Sequence, residues 1–244
     1  MSASGIDQGS LLDDVRTFDD YTRPLLELIA SIPQDEKVVL VGHSLGGLNI
    51  AVAMDKYPEK VSVAVFLAAA MPGPKHVPSY VLEKYLEQIP AEEWLDTRFS
   101  AIGTPEDPLT SDVALANMLL RPGSLFLEDL SKKSPLSEEG FGSVKRVNIV
   151  CLEDKAISVN FQHWQIENFG VDEVKEIASA DHMAQRRRSA AAISVQQMVR
   201  NISISSGLVF MESAVELAME TSRVTSAVRN QLEHDNPAET ITTS

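Results

Sequence analysis

A serine set between two glycines, in Gly42-His43-Ser44-Leu45-Gly46, is the first feature of this sequence that could do chemistry. The spacing matches the turn that presents a nucleophilic serine between a buried strand and a helix. Such a turn is tight enough to strain the serine backbone, and Gly42 and Gly46 leave room for strand and helix to approach. The Ser44 hydroxyl would then stand above a sheet at a helix N-terminus. There the backbone N–H of Leu45 could donate to a developing oxyanion. A bare motif of this kind also occurs as a glycine-rich turn with an inert serine, so its surroundings decide. The run Lys37-Val38-Val39-Leu40-Val41 precedes it and fits a strand buried on both faces. Leu48 to Tyr57 follows as a helix that stops before Pro58. No lysine follows in the pattern of a phosphate-binding loop, and no G-x-G-x-x-G is present.

A serine nucleophile needs a base, and the base needs an acid to orient it. When this turn is used for catalysis, the three follow in the order serine, acid, histidine. Asp154 comes just past a short apolar run, Val147 to Cys151, and His182 just past the run Glu173 to Ala178. Both would lie on loops at the carboxyl edge of the sheet, with Ser44. The other histidines fit less well. His43 is inside the turn and is expected to point elsewhere; His76 lies between prolines before any such acid; His163 is within a helix; His234 is near the end. Glu153 and Asp181 compete with Asp154. Asp181 adjoins His182 and would point away from its ring, and Glu153 would face the other side of an extended segment.

The elements that must position these groups alternate. Residues 11–32 read as a helix, with apolar positions from Leu11 to Ile29 at spacings of three and four and with Asp13, Asp14, Asp19 and Asp20 on the wet face. Val61 to Leu67 is a second buried strand, and Pro72-Gly73-Pro74 opens a loop. Residues 79–132 read as irregular helix without strand character, and 161–169 as a helix. Strands alternating with helices predict an α/β fold with a mostly parallel sheet. After Arg186-Arg187-Arg188 the pattern changes. Residues 189–200 read as a helix, and Phe210, Ala214, Leu217, Val224, Val228 and Leu232 form an apolar stripe at helical spacing, expected to pack on the domain. The polar end, 235–244, reads as disordered.

Composition bounds the partners. The chain has 244 residues, 35 acidic against 21 basic, and a formal charge of −14. That balance disfavours nucleic acid and anionic membrane. One cysteine, Cys151, can form no internal disulfide, which suits a reducing compartment. Met1 to Ser10 carries no secretory pattern, and the longest nearly apolar run, Val61 to Met71, is too short to span a bilayer. A cytoplasmic location is the expectation, with no metal or cofactor. A small molecule is the expected partner, and a homodimer is left open.

Several segments together resemble the plant methylesterases of the α/β-hydrolase superfamily. They are Asp20-Tyr21-Thr22, Val39 to Gly47, Ala64 to Ala69, Trp94-Leu95-Asp96-Thr97, Gly142 to Val147 and Ala180-Asp181-His182-Met183. The resemblance runs from about residue 3 to residue 184. It implies an α/β-hydrolase fold, a mostly parallel sheet flanked by helices with a helical cap insertion over about 75–132, and a divergent extension over 185–244. It implies hydrolysis of the methyl esters of salicylate, jasmonate or indole-3-acetate through an acyl-enzyme. Position by position, Ser44 matches the family's nucleophile, Asp154 its acid and His182 its base. Leu45 matches the residue whose N–H forms half of the oxyanion hole. Tyr85, Trp94, Phe99, Leu125 and Met183 match residues lining the aromatic-ester pocket. The related hydroxynitrile lyases carry lysine where this chain has Met183 and glutamate where it has His43, so both positions favour the esterase.

The family pattern begins with a strand ending in His-Gly, a helix and a further strand, which 1–184 lacks. The loop after that strand supplies the second oxyanion donor. The partial domain is therefore expected to leave 37–41 as an exposed apolar edge. Between Ser111 and Leu119 the family carries roughly twenty-four more residues, by the spacing of matched motifs. Ala70 stands where the family often has phenylalanine, which reshapes the pocket. The competing expectations are an inactive truncated homologue or a non-catalytic binder of salicylate-like acids.

Overall fold

The computed structural model describes residues 15–88 and 124–184, and the backbone of 207–211. Two patterns in the sequence build its layers. Continuous β-branched and aliphatic runs make strands with no wet face, and amphipathic segments make the helices that cover them.

The first helix, α1, is Phe18–Ser31. It starts at Phe18 rather than at residue 11, because Thr17 closes a capping box: its hydroxyl accepts from the Asp20 N–H, and the Asp20 carboxylate takes the Thr17 N–H. Val15 and Arg16 are not helical, and residues 11–14 lie outside the described residues. β1 is Val38–Ser44 and is buried along its whole length. It runs straight into α2, Gly46–Lys56. β2 is Val61–Ala69. Of the expected cap, α3, Tyr80–Glu87, and the short α4, Leu127–Ser131, are described. β3 is Arg146–Cys151, α5 is Val159–Phe169 and β4 is Glu173–Ile177.

These strands and a fifth, β5, Gly207–Met211, form one sheet in the order β4-β3-β2-β1-β5, parallel at every junction. One face carries Leu40, Ala64 and Phe66, which pack with Leu25 and Ile29 of α1, Ile50 of α2 and Phe141. The other carries Val39, Val41, Val65, Leu67 and Ile149. Among the described residues this is the α/β-hydrolase arrangement the sequence predicted, a parallel sheet with helices packed against it.

β5 corrects two expectations. Phe210 belongs to a strand, not to a helical stripe; the rest of that stripe, the helix over 189–200 and the polar end lie outside the described residues. Nor is β1 an open edge. Val38 to Gly42 pair in register with Gly207 to Met211. The physical reason is that β1 is apolar on both faces, and the N–H and C=O groups along its free side need partners. A short apolar run from far along the chain supplies them. In a parallel ladder, alternate residues turn their backbone bonds to the same neighbour, so one of Leu208 and Val209 directs its N–H at β1. Proline at that position deletes a ladder bond worth about 1 kcal/mol. Leu208→Pro and Val209→Pro should therefore include one variant whose 38–42 amides exchange about tenfold faster, with 147–151 in β3 unchanged. Hydrogen-exchange mass spectrometry reads this, and unchanged exchange in both variants would contradict the pairing.

Candidate active site

The turn at the end of β1 places Ser44 in the left-handed region, with φ of 56°. That conformation is costly for a residue with a Cβ and clusters at functional sites. The register shows what holds it. His43 pairs with Leu67 and Ser44 with Ala69, so Ala68 is skipped and bulges with φ of 41°. Beyond the bulge, the Ala70 N–H donates to the Ser44 carbonyl at 2.9 Å. Close packing around the turn falls at Gly42 and Gly47. A Cβ on Gly42 would lie 2.8 Å from the Gly46 carbonyl oxygen, and one on Gly47 only 2.2 Å from that of Ala70. Gly47 is a requirement that the motif's spacing alone did not show. The Ser44 hydroxyl is fully buried and has no hydrogen-bond partner among the described residues. Leu45 directly precedes α2, so its N–H lies among those of the first helical turn.

Asp154 and His182, beyond the ends of β3 and β4, are brought together. The Asp154 carboxylate takes the His182 Nδ1–H on Oδ2 at 2.8 Å, and both side chains are buried. Its Oδ1 accepts the N–H groups of Ala156 and Ile157, each at 2.8 Å. A carboxylate accepting three donors is fixed in rotation. The loops carrying the pair are also joined by backbone: Leu152 N–H donates to Ile177 and Glu153 N–H to Ala180. With its proton on Nδ1, His182 has Nε2 as its basic nitrogen. Glu153 and Asp181 are exposed, and the Asp181 carboxylate accepts the Met183 N–H, so neither takes the place of Asp154.

His43 does not point away from the site. Its Nε2–H donates to the His182 carbonyl at 2.6 Å, and the two rings lie 4.6 Å apart. The residue before Ser44 thereby holds the main chain of His182. Sequence reasoning missed this contact, since its acceptor is a backbone oxygen that no residue type announces.

Of the expected pocket residues, Tyr85 and Leu125 are half-buried against an apolar cluster that includes Leu45, Ala70, Phe126 and Phe161. Met183 is buried next to His182. Trp94 and Phe99 lie outside the described residues. Ala70 puts its small side chain in the same cluster. No group of three or more histidine, cysteine, aspartate or glutamate side chains among the described residues could hold a metal ion. No helix among them is long and apolar enough to cross a membrane.

Cys151 ends β3 three residues before Asp154. Burial, with the Asp154 and Asp181 charges nearby, pushes its thiol up from 9.0 to about 12. The folded protein keeps it neutral at pH 8. Native chain should resist iodoacetamide there, and alkylation should follow global unfolding. The same shift sets a pH dependence. Below 9 its contribution to stability is complete; above it the unfolded chain ionises first, and stability declines from about 9 toward 12. Rapid alkylation of the native chain would contradict the burial.

Residues 5–194 match the model of the alpha/beta hydrolase family. Salicylic acid-binding protein 2 of Nicotiana tabacum is 54% identical over 203 residues, covering 75% of this chain and 78% of that protein. Methylesterase 1 of Arabidopsis thaliana is 48% identical over 201 residues, covering 75% and 76%. The crystal structure of polyneuridine aldehyde esterase superposes with a TM-score of 0.74 at 47% identity, over 83% of this chain and 86% of that one.

A methyl group at position 47 tests the packing of the turn. Gly47→Ala would drive its Cβ into the Ala70 backbone, which cannot move aside as a side-chain end could. The expected cost is about 1–3 kcal/mol or more, and a melting temperature lower by several degrees in circular dichroism. An unchanged melting temperature would contradict the close approach.

Proposed function

Since this chain belongs to the plant methylesterases of the alpha/beta hydrolase family, and is a hydrolase of ester bonds, we propose that it cleaves the methyl esters of small plant-hormone acids with Ser44, His182 and Asp154 as its triad. The observation that carries this reading is the buried Asp154–His182 hydrogen bond, on loops facing the same sheet edge as the strained Ser44. An imidazole held by a carboxylate, at the sheet edge that also carries a buried serine hydroxyl, is what an acyl transfer needs.

The steps follow from those roles. His182 Nε2 takes the Ser44 proton as Oγ attacks the ester carbonyl. The negative charge that develops on the carbonyl oxygen is met by the Leu45 N–H at the start of α2. The tetrahedral intermediate collapses, methoxide leaves and takes the proton from His182, and the acyl group stays on Ser44. Water then enters, loses a proton to His182 and attacks the acyl carbonyl; Ser44 Oγ leaves, takes that proton back, and the acid is released. Asp154 stabilises the imidazolium that forms in each half. Small, largely apolar acids such as salicylate, jasmonate and indole-3-acetate suit a pocket lined by Tyr85, Leu125 and Met183, with Trp94 and Phe99 added by the family resemblance. Discrimination among such acids by shape is worth only ~1–3 kcal/mol, so several esters are expected to be turned over.

A fluorophosphonate probe tests the nucleophile without assuming an ester. Wild-type chain should be labelled at Ser44, and Ser44→Ala should lose both labelling and turnover of methyl salicylate. Asp154→Asn should keep the fold but lower kcat by about 10³–10⁴, because the imidazole loses its tautomer. Full turnover in Ser44→Ala would reject the assignment. Calorimetric binding of salicylate by a wild-type chain that is neither labelled nor active would favour the non-catalytic binder.

A further inference from the structure

Tyr85 is expected above to contribute its ring to the pocket, but its hydroxyl is used elsewhere. It donates to the Ala156 carbonyl at 3.0 Å, from α3 in the cap to the segment after β3. The same Ala156 supplies one of the two N–H groups that grip Asp154 Oδ1; Ile157 supplies the other. Asp154 Oδ2 in turn holds His182. One peptide segment thus faces two ways: its N–H groups turn in to the acid, and a carbonyl turns out to the cap. The far end of this segment is fixed independently, since Ser158 caps α5 by accepting the Phe161 N–H. The Tyr85 ring also packs on Phe161, with centroids 5.6 Å apart. The segment from Asp154 to Ser158 is therefore pinned at both ends, and its middle is tied by the phenol to a helix of a different layer.

We propose that Tyr85 is a positioning residue: its hydroxyl latches α3 to the turn that grips Asp154, so the Asp154–His182 pair keeps its reacting geometry while the cap is seated. This rests on the triad reading above. The physical content is a coupling between cap and acid. When the phenol is bonded to the Ala156 carbonyl, the peptide plane that also carries the Ile157 N–H is held, and with it the angle at which Asp154 presents Oδ2. When the bond is lost, the turn gains freedom, and the carboxylate spends less time aligned with Nδ1. Such a loss lowers the rate for every ester, large or small, because it acts on the base. A purely pocket-lining tyrosine would act on the esters that touch it.

Tyr85→Phe separates the two, as it keeps the ring and deletes the hydroxyl. Two measurements are made on the full chain. In the first, kcat and KM are compared with p-nitrophenyl acetate, whose acetyl group does not fill an aromatic pocket, and with methyl salicylate. In the second, backbone amide exchange is followed over 154–158, with 38–42 in β1 as the internal reference. The latch predicts that kcat falls about tenfold on both esters, that KM for p-nitrophenyl acetate stays within about twofold, and that 154–158 exchanges faster than wild type while 38–42 does not. Unchanged kcat on p-nitrophenyl acetate would overturn the positioning role, whether or not exchange rises. Unchanged exchange over 154–158 would overturn the latch itself. A wild-type chain that hydrolyses neither ester would sink the triad reading instead, and the exchange comparison would still decide whether Tyr85 holds the turn.

Discussion

The left-handed turn at Ser44 is the constraint around which the rest of the structure is arranged. A non-glycine residue at φ of 56° costs of order 1–3 kcal/mol, and it persists only where the surroundings over-determine it. Each neighbour contributes. β1 is buried on both faces and cannot shift. β2 answers the turn with its own bulge at Ala68, and so delivers the Ala70 N–H to the Ser44 carbonyl. The bulge also changes what β2 presents: Leu67 and Ala68, consecutive residues, both face the cluster with Ala180 and Ala184, and Ala69 turns to the α2 side. Gly47 then lets the start of α2 come within contact of Ala70. Enlarging any one of these small residues would press on the others.

The sheet around that turn was legible in part, and the division has a physical basis. β1 and β2 are long β-branched or aliphatic runs with a glycine turn or prolines at their ends, and such strands declare themselves. β3 and β4 are shorter but sit at regular intervals between helical stretches. β5 declared nothing. Gly207-Leu208-Val209-Phe210-Met211 is an apolar run too short for its period to be read, and it was absorbed into a longer helical spacing that begins at Phe210. What makes it a strand is the demand of β1 for partners, a non-local term that local pattern does not contain. The start of α1 departs from the apolar spacing for the opposite reason. Apolar spacing continued upstream of Thr17, but a local capping box ended the helix more sharply than periodicity suggested.

The site divides along the same line. The pairing of Asp154 with His182 was legible, because chain order and strand ends restrict where such groups can stand, and the structure joins the two. Glu153 and Asp181 were set aside by alternation and adjacency, and both are exposed. His43 and Tyr85 were not legible in their observed contacts. Each donates to a main-chain carbonyl, of His182 and of Ala156, and a carbonyl belongs to every residue alike. Hydrogen bonds of that kind follow from the fold and become visible only with it.

The groups of the site are held by different parts of the sheet, and this decides how disturbances spread. Asp154 and His182 lie beyond β3 and β4, tied by two backbone bonds between their loops and by the N–H groups that grip the carboxylate. Ser44 lies at the end of β1, next to β5. Through the sheet, a change at β5 reaches Ser44 across one strand junction and Asp154 across three. The bridge between the halves is short: β1 to β2 pairing with the Ala70 bond, and the His43 ring on the His182 carbonyl. That second contact joins the residue before Ser44 to His182 directly, bypassing the sheet. Loosening the β5 side would therefore weaken the placement of Ser44 first and leave the Asp154–His182 hydrogen bond formed. The order follows from the topology, because β3 and β4 complete their ladder without any contribution from β5.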